Sequence, residues 1–132
     1  MSASDYRILI VDDLMDNLIL LQTVLEAEGY AVELADNGQA ALAKVNASPP
    51  DLILLDVMMP DMNGYEVTQR IRQKPDLSYI PILLVTAYSE PSAIEGLTAG
   101  ANDFIRKPID LDELLARVSA FLQFRDGVRG GT

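Results

Sequence analysis

A chain of 132 residues that is 49% hydrophobic has the material for one compact domain with its own core. Its formal charge of −10 disfavours nonspecific binding to nucleic acid or to an anionic membrane, since both need Lys or Arg to neutralise phosphates. Cysteine and histidine are absent, which excludes disulfides, thiolate nucleophiles, Cys/His zinc sites, histidine bases and a phosphohistidine on this chain.

Short apolar runs alternate with longer segments of helical period, the pattern of an α/β fold with a buried parallel sheet. The first strand reads as Arg7–Val11 and runs into Asp12-Asp13. The helix after it carries Leu14, Leu18, Leu21 and Leu25 on one stripe and closes at Gly29. A second strand, Ala31–Ala35, leads through the turn formers Asp36 and Asn37 to an alanine-rich helix over Gly38–Asn46. The third strand is Leu52–Leu55, followed by Asp56, the rim residues Met58 and Met59, and a turn containing Asp61 and Asn63. A third helix then turns Val67 and Ile71 inward and stops before Pro75.

The longest apolar run, Ile80–Ala87, is short and contains Pro81; it holds the fourth strand, Ile82–Val85, which is followed by Thr86. No N-terminal stretch has the make-up of a targeting segment, so a soluble, cytoplasmic protein is expected. A fourth helix is predicted from near Ser89 to Gly100, with Pro91 in its first turn. The fifth strand, Asp103–Ile105, precedes Lys107-Pro108. Asp110 caps a fifth helix whose inward residues are Leu111, Leu114, Leu115, Val118, Phe121 and Leu122. Residues 1–124 thus read as one domain and 125–132, rich in Gly and Arg, as a flexible tail or the start of a linker.

Polar residues break the apolar pattern at one repeated place, the C-terminal end of a strand: Asp12, Asp13, Asp56, Thr86 and Lys107. In an open parallel sheet those ends share an edge, and ligands bind in the crevice beside it. Singly, each has an ordinary reading as a turn acid, a strand terminus or a surface lysine. Together, three carboxylates in one crevice call for a hard cation with oxygen ligands, Mg²⁺ before others, which leaves positions open for a phosphate. An aspartate carboxylate is a competent nucleophile toward a phosphoryl group, with Lys107 supplying charge and Thr86 a hydrogen bond.

The segments Ile8–Asp13, Leu54–Gly64, Pro81–Ala87 and Gly100–Pro108, in this order and spacing, resemble the receiver domain of bacterial two-component response regulators, over about Asp5 to Phe124. The resemblance implies a doubly wound five-stranded parallel sheet in order 2-1-3-4-5, flavodoxin-like, with helices on both faces. It implies Asp56 as phosphoacceptor and Mg²⁺ (or Mn²⁺) held by Asp13, Asp56 and the Met58 backbone carbonyl, with Asp12 acting mostly through water. Thr86 and Lys107 would hold the phosphoryl oxygens, and Lys107-Pro108 would be cis, which proline makes accessible. Phe104 reads equally as a half-buried strand residue or as an aromatic switch moving with Thr86. The donor implied is a phosphohistidine on a sensor histidine kinase or phosphotransfer protein.

Met58 and Tyr88, two residues past Asp56 and Thr86, are neither acid nor amide, so slow self-hydrolysis of the phospho-form is expected. A dehalogenase-type phosphatase would need an acid where Met58 stands, and a flavodoxin-type module a Ser/Thr/Gly-rich loop where Asp12–Asp16 stands. A degenerate receiver would lack one of the five key residues. Output in the family commonly passes through the fourth helix, fifth strand and fifth helix, decorated here by Glu95, Asp103, Glu113 and Arg117. The same face is a possible homodimer surface, but the predicted fourth helix has no Lys or Arg for the pairing used by winged-helix regulators. The phrase from Lys107 to Val118 is more similar to receivers joined to diguanylate cyclases or hybrid kinases. An output domain or partner protein is therefore expected, and direct nucleic-acid or membrane binding is not.

Overall fold

The structure is a computed structural model that describes residues 5–77, 79–87 and 97–130, with side chains up to Gln123. Five strands, β1 (Arg7–Val11), β2 (Ala31–Ala35), β3 (Leu52–Asp56), β4 (Ile82–Thr86) and β5 (Asp103–Arg106), form one all-parallel sheet in the order β2-β1-β3-β4-β5. Helices α1 (Met15–Ala27), α2 (Gly38–Ala47) and α3 (Gly64–Arg72), a short 3₁₀ turn (Pro75–Leu77) and a C-terminal helix (Leu111–Gly130) connect or follow them. The fold is the expected flavodoxin-like α/β architecture.

Because strand side chains alternate across the sheet, the apolar strands feed two cores. Leu9, Val11, Ile53, Leu55, Ile82 and Leu84 pack with Ala41, Val45, Val67 and Ile71 of α2 and α3. Ile8, Ile10, Leu52, Leu54 and Leu83 pack with Leu18, Leu21 and Leu25 of α1 and with Leu114, Val118 and Leu122 of the C-terminal helix. Both faces of β1, β3 and β4 are therefore dry, which is why these strands read as unbroken apolar runs.

Helix starts follow the caps. The Asn37 side chain accepts from Ala40 N–H at 2.8 Å, and Asn63 and Glu66 form a reciprocal capping box. Asp110 accepts from Glu113 N–H at 3.1 Å. Asp61 has φ 69°, the left-handed conformation that Asp tolerates in a turn, and Gly29 and Gly100 have φ 96° and 115°.

Three expectations about side chains need correction. Leu14 is not on the buried stripe of α1: it is the extended N-cap residue, where the helical period does not yet apply, and its side chain is exposed. Leu111, the first residue of the C-terminal helix, is also exposed. Met59 is buried in the α2–α3 core, whereas Met58 is a rim residue. The C-terminal helix also runs past Phe124 to Gly130, since extending a formed helix adds a hydrogen bond per residue without new nucleation. The predicted fourth helix lies outside the described residues up to residue 96; residues 97–99 are helical and end at Gly100. Tyr88 and Glu95 lie outside the described residues.

Candidate functional site

β3, β4 and β5 each run one residue beyond the apolar segment, so the polar residues at their ends belong to the ladder. Asp56 is in register with Val85 and Thr86 with Arg106. This fixes the backbone of Asp56 and Thr86 on neighbouring strands at one sheet edge. Thr86 C=O accepts from Lys107 N–H at 2.7 Å, tying the residue after β5 to the end of β4, and the Lys107-Pro108 bond is cis.

The crevice at this edge gathers the acids. Carboxylate oxygens of Asp12, Asp13 and Asp56 lie within 4.8 Å of one another, with Asp12 and Asp56 buried and Asp13 exposed. Lys107 Nζ is 3.2 Å from Asp56 Oδ1 in an ion pair, and apart from that pair Oδ1 is buried without a hydrogen-bond partner. Thr86 Oγ1 is likewise buried and unpartnered. Buried oxygens left in this state are costly, and sites built for a ligand are where they are tolerated. The Asp56 carboxyl is pushed up to about 6, chiefly by burial and next by the Asp12 charge; Lys107 opposes this, and Asp13 raises it further.

The set fits a divalent cation on chemical grounds: three converging carboxylates whose mutual repulsion a hard cation would relieve. Met58, expected to offer its carbonyl, lies in the loop two residues past Asp56 with its side chain exposed. Phe104 is half-buried against the α2–α3 core, and the Arg106 guanidinium lies over its ring at 5.3 Å. Asp103, Glu113 and Arg117, expected to decorate an output face, form ion pairs within the chain centred on Arg117.

Two contributors were not singled out in the sequence. Asn17 of α1 donates from Nδ2 to Asp12 Oδ2 at 3.1 Å, and its only sequence signal is an Asn five residues past an acid. Gly64 opens α3 directly against the end of β3: a Cβ there would come 2.7 Å from the Asp56 carbonyl oxygen. Beside the acids, a cleft of about 320 Å³ is lined by Asn17, Leu20, Lys107, Pro108, Ile109 and Leu111. Leu14 and Met15 at the start of α1, and Ile19 and Leu20 within it, are each more than half exposed.

Residues 8–119 match the family model described as the response regulator receiver domain. The chain is 45% identical over 120 residues to the response regulator PleD of Caulobacter vibrioides, covering 90% of this chain and 26% of PleD. It is 40% identical over 121 residues to the transcriptional regulatory protein TrcR of Mycobacterium tuberculosis, covering 91% of this chain and 46% of TrcR. The chain thus spans less than half the length of either relative. Among solved structures, the signal receiver domain of a signal transduction histidine kinase from Syntrophus aciditrophicus is 38% identical with a TM-score of 0.84, covering 89% of this chain and 90% of that one. The chemotaxis protein CheY4 of Vibrio cholerae is 32% identical with a TM-score of 0.82, covering 88% and 98%.

Proposed function

The chain belongs to the response regulator receiver domain family, and from that premise we propose that it is a switch set by transfer of a phosphoryl group from a donor phosphohistidine onto Asp56. The observation that carries this reading is the buried Asp56 carboxylate, paired with Lys107 at 3.2 Å and converging with Asp12 and Asp13. An Asp56 oxygen forms the O–P bond as the donor's P–N bond breaks, and that bonding pair returns to the imidazole nitrogen. Mg²⁺ or Mn²⁺, held by Asp13, Asp56 and the Met58 carbonyl with Asp12 acting mostly through water, would when bound neutralise charge on the carboxylates and phosphoryl oxygens.

Lys107 then exchanges its Asp56 partner for a phosphoryl oxygen, and Thr86 Oγ1 donates to another; its present lack of a partner supports that role. Thr86 and Phe104 together form the switch, and the β5 and C-terminal helix surface carries the change to a partner or an attached output domain. The continuation of the C-terminal helix toward Gly130 suits a helical connection to such a domain. The exposed apolar side chains of α1 beside the crevice suit docking of the sensor kinase or phosphotransfer protein that carries the phosphohistidine. The chemistry is self-directed: the chain catalyses its own modification and turns over no metabolite. Among the described residues no helix is long and apolar enough to cross a membrane.

The test is intact-mass analysis after incubation with acetyl phosphate, with and without Mg²⁺. One Mg²⁺-dependent, alkali-labile phosphate adduct is expected, absent in Asp56→Asn, together with a changed Phe104 ring environment by NMR. A wild type that binds Mg²⁺ yet takes up no phosphate would leave a receiver that signals only by protein contact.

A further inference from the structure

The Asp12 carboxylate is buried and bonded at both oxygens. Leu14 N–H donates to Oδ1 at 2.9 Å, and Asn17 Nδ2 donates to Oδ2 at 3.1 Å. Leu14 offers no side-chain cap to α1, so the first turn closes back onto Asp12 instead. Asn17 is the third residue of α1, and its amide reaches across that turn to the acid. The two donors fix the carboxylate plane. With the Leu14 N–H alone only Oδ1 is held, and repulsion from Asp13 and Asp56, within 4.8 Å, turns Oδ2 away.

We propose that Asn17 is a positioning residue of the cation site: by holding Asp12 converged with Asp13 and Asp56 it sets the affinity for Mg²⁺. This rests on the reading of the three acids as a cation site. Partners that orient a metal's ligands commonly govern affinity by tenfold or more without touching the ion. The competing account is that Asn17 merely closes the first turn of α1. That account ties its loss to the stability of the apo protein and not to Mg²⁺ binding.

The experiment is calorimetric Mg²⁺ titration of the EDTA-stripped full chain as wild type, Asn17→Ala, Asn17→Ser, Asp12→Ala and the Asn17→Ala/Asp12→Ala double variant, with thermal melting of each apo form. Serine keeps a polar group on the helix but is too short to span to Asp12. Asn17→Ala and Asn17→Ser are expected to weaken Mg²⁺ binding about tenfold, while Asn17→Ala in the Asp12→Ala background changes the Kd less than about twofold, because the two residues act as one unit. Saturable binding by the wild type with Asn17→Ala inside twofold of it overturns the positioning role, whatever the melts show. An equal loss in both backgrounds overturns it too, since Asn17 would then act on something other than Asp12. No saturable binding by the wild type removes the cation site itself, and the role of Asn17 with it.

Discussion

Asp56 gains a proton more readily in the folded protein than in the unfolded chain, its carboxyl moving from 3.8 to about 6. Between those values the native state holds more protons, so stability must fall as pH rises: the contribution is whole below about 3.8 and lost as pH passes through about 6. Without divalent cations, Asp56→Asn removes that burden. Urea unfolding followed by circular dichroism should show the variant more stable than wild type at pH 7.5, by at most about 3 kcal/mol, with the gain vanishing toward pH 4. A constant difference between the two proteins across that range would mean that Asp56 is not strained by burial. The same residue-level physics decides what sequence can show. Asp12, Asp13, Asp56, Thr86 and Lys107 stand out because each breaks an apolar strand at its C-terminal end. Asn17 does not, because an asparagine near a helix start is unremarkable until its bond back to Asp12 is seen.

Elements are legible where burial and backbone pairing coincide. β1 and β2 have the bounds their apolar runs suggest, Arg7–Val11 and Ala31–Ala35. β3, β4 and β5 each extend onto a polar residue, Asp56, Thr86 or Arg106, since the ladder uses main-chain groups and is indifferent to side-chain polarity. Leu14 misleads for a related reason: a 3.6-residue period places side chains only where the backbone is already helical, and Leu14 is the extended N-cap of α1; Leu111 is helical, but in the first turn it lines the cleft beside α1 and stays exposed. Gly64 shows an element serving the site. α3 starts close enough to β3 that a Cβ would meet the Asp56 carbonyl oxygen at 2.7 Å and the Val57 Cα at 2.9 Å, both main-chain atoms. Gly64→Ala must push α3 off the strand end or move the acceptor, and destabilisation of about 1–3 kcal/mol is expected. Denaturant midpoints would show it, and acetyl phosphate uptake should slow in the same variant. Uptake and stability both at wild-type level would mean the two elements are not rigidly coupled here.

At the scale of the whole molecule, a formal charge of −10 makes the compact state repel itself, and three of its acids share one crevice. Any salt relieves the first effect by screening, which acts over about 10 Å at 0.1 M ionic strength. The second, which Lys107 offsets in part, is relieved further by a cation bound in the crevice. The two separate cleanly when NaCl and MgCl₂ are compared at equal ionic strength. NaCl should raise the unfolding free energy modestly and by similar amounts in wild type, Asp13→Asn and Asp56→Asn. MgCl₂ should add a further increment in wild type, about 2.7 kcal/mol at a hundredfold excess over the Kd, because binding to the native state alone stabilises it by mass action. That increment should shrink sharply in Asp13→Asn, whose exposed side chain belongs to the acidic cluster but not to the core. Superimposed wild-type curves in the two salts would reduce the acidic crevice to one more patch of a negative surface. An increment that survives Asp13→Asn unchanged would put the bound cation somewhere other than these three acids.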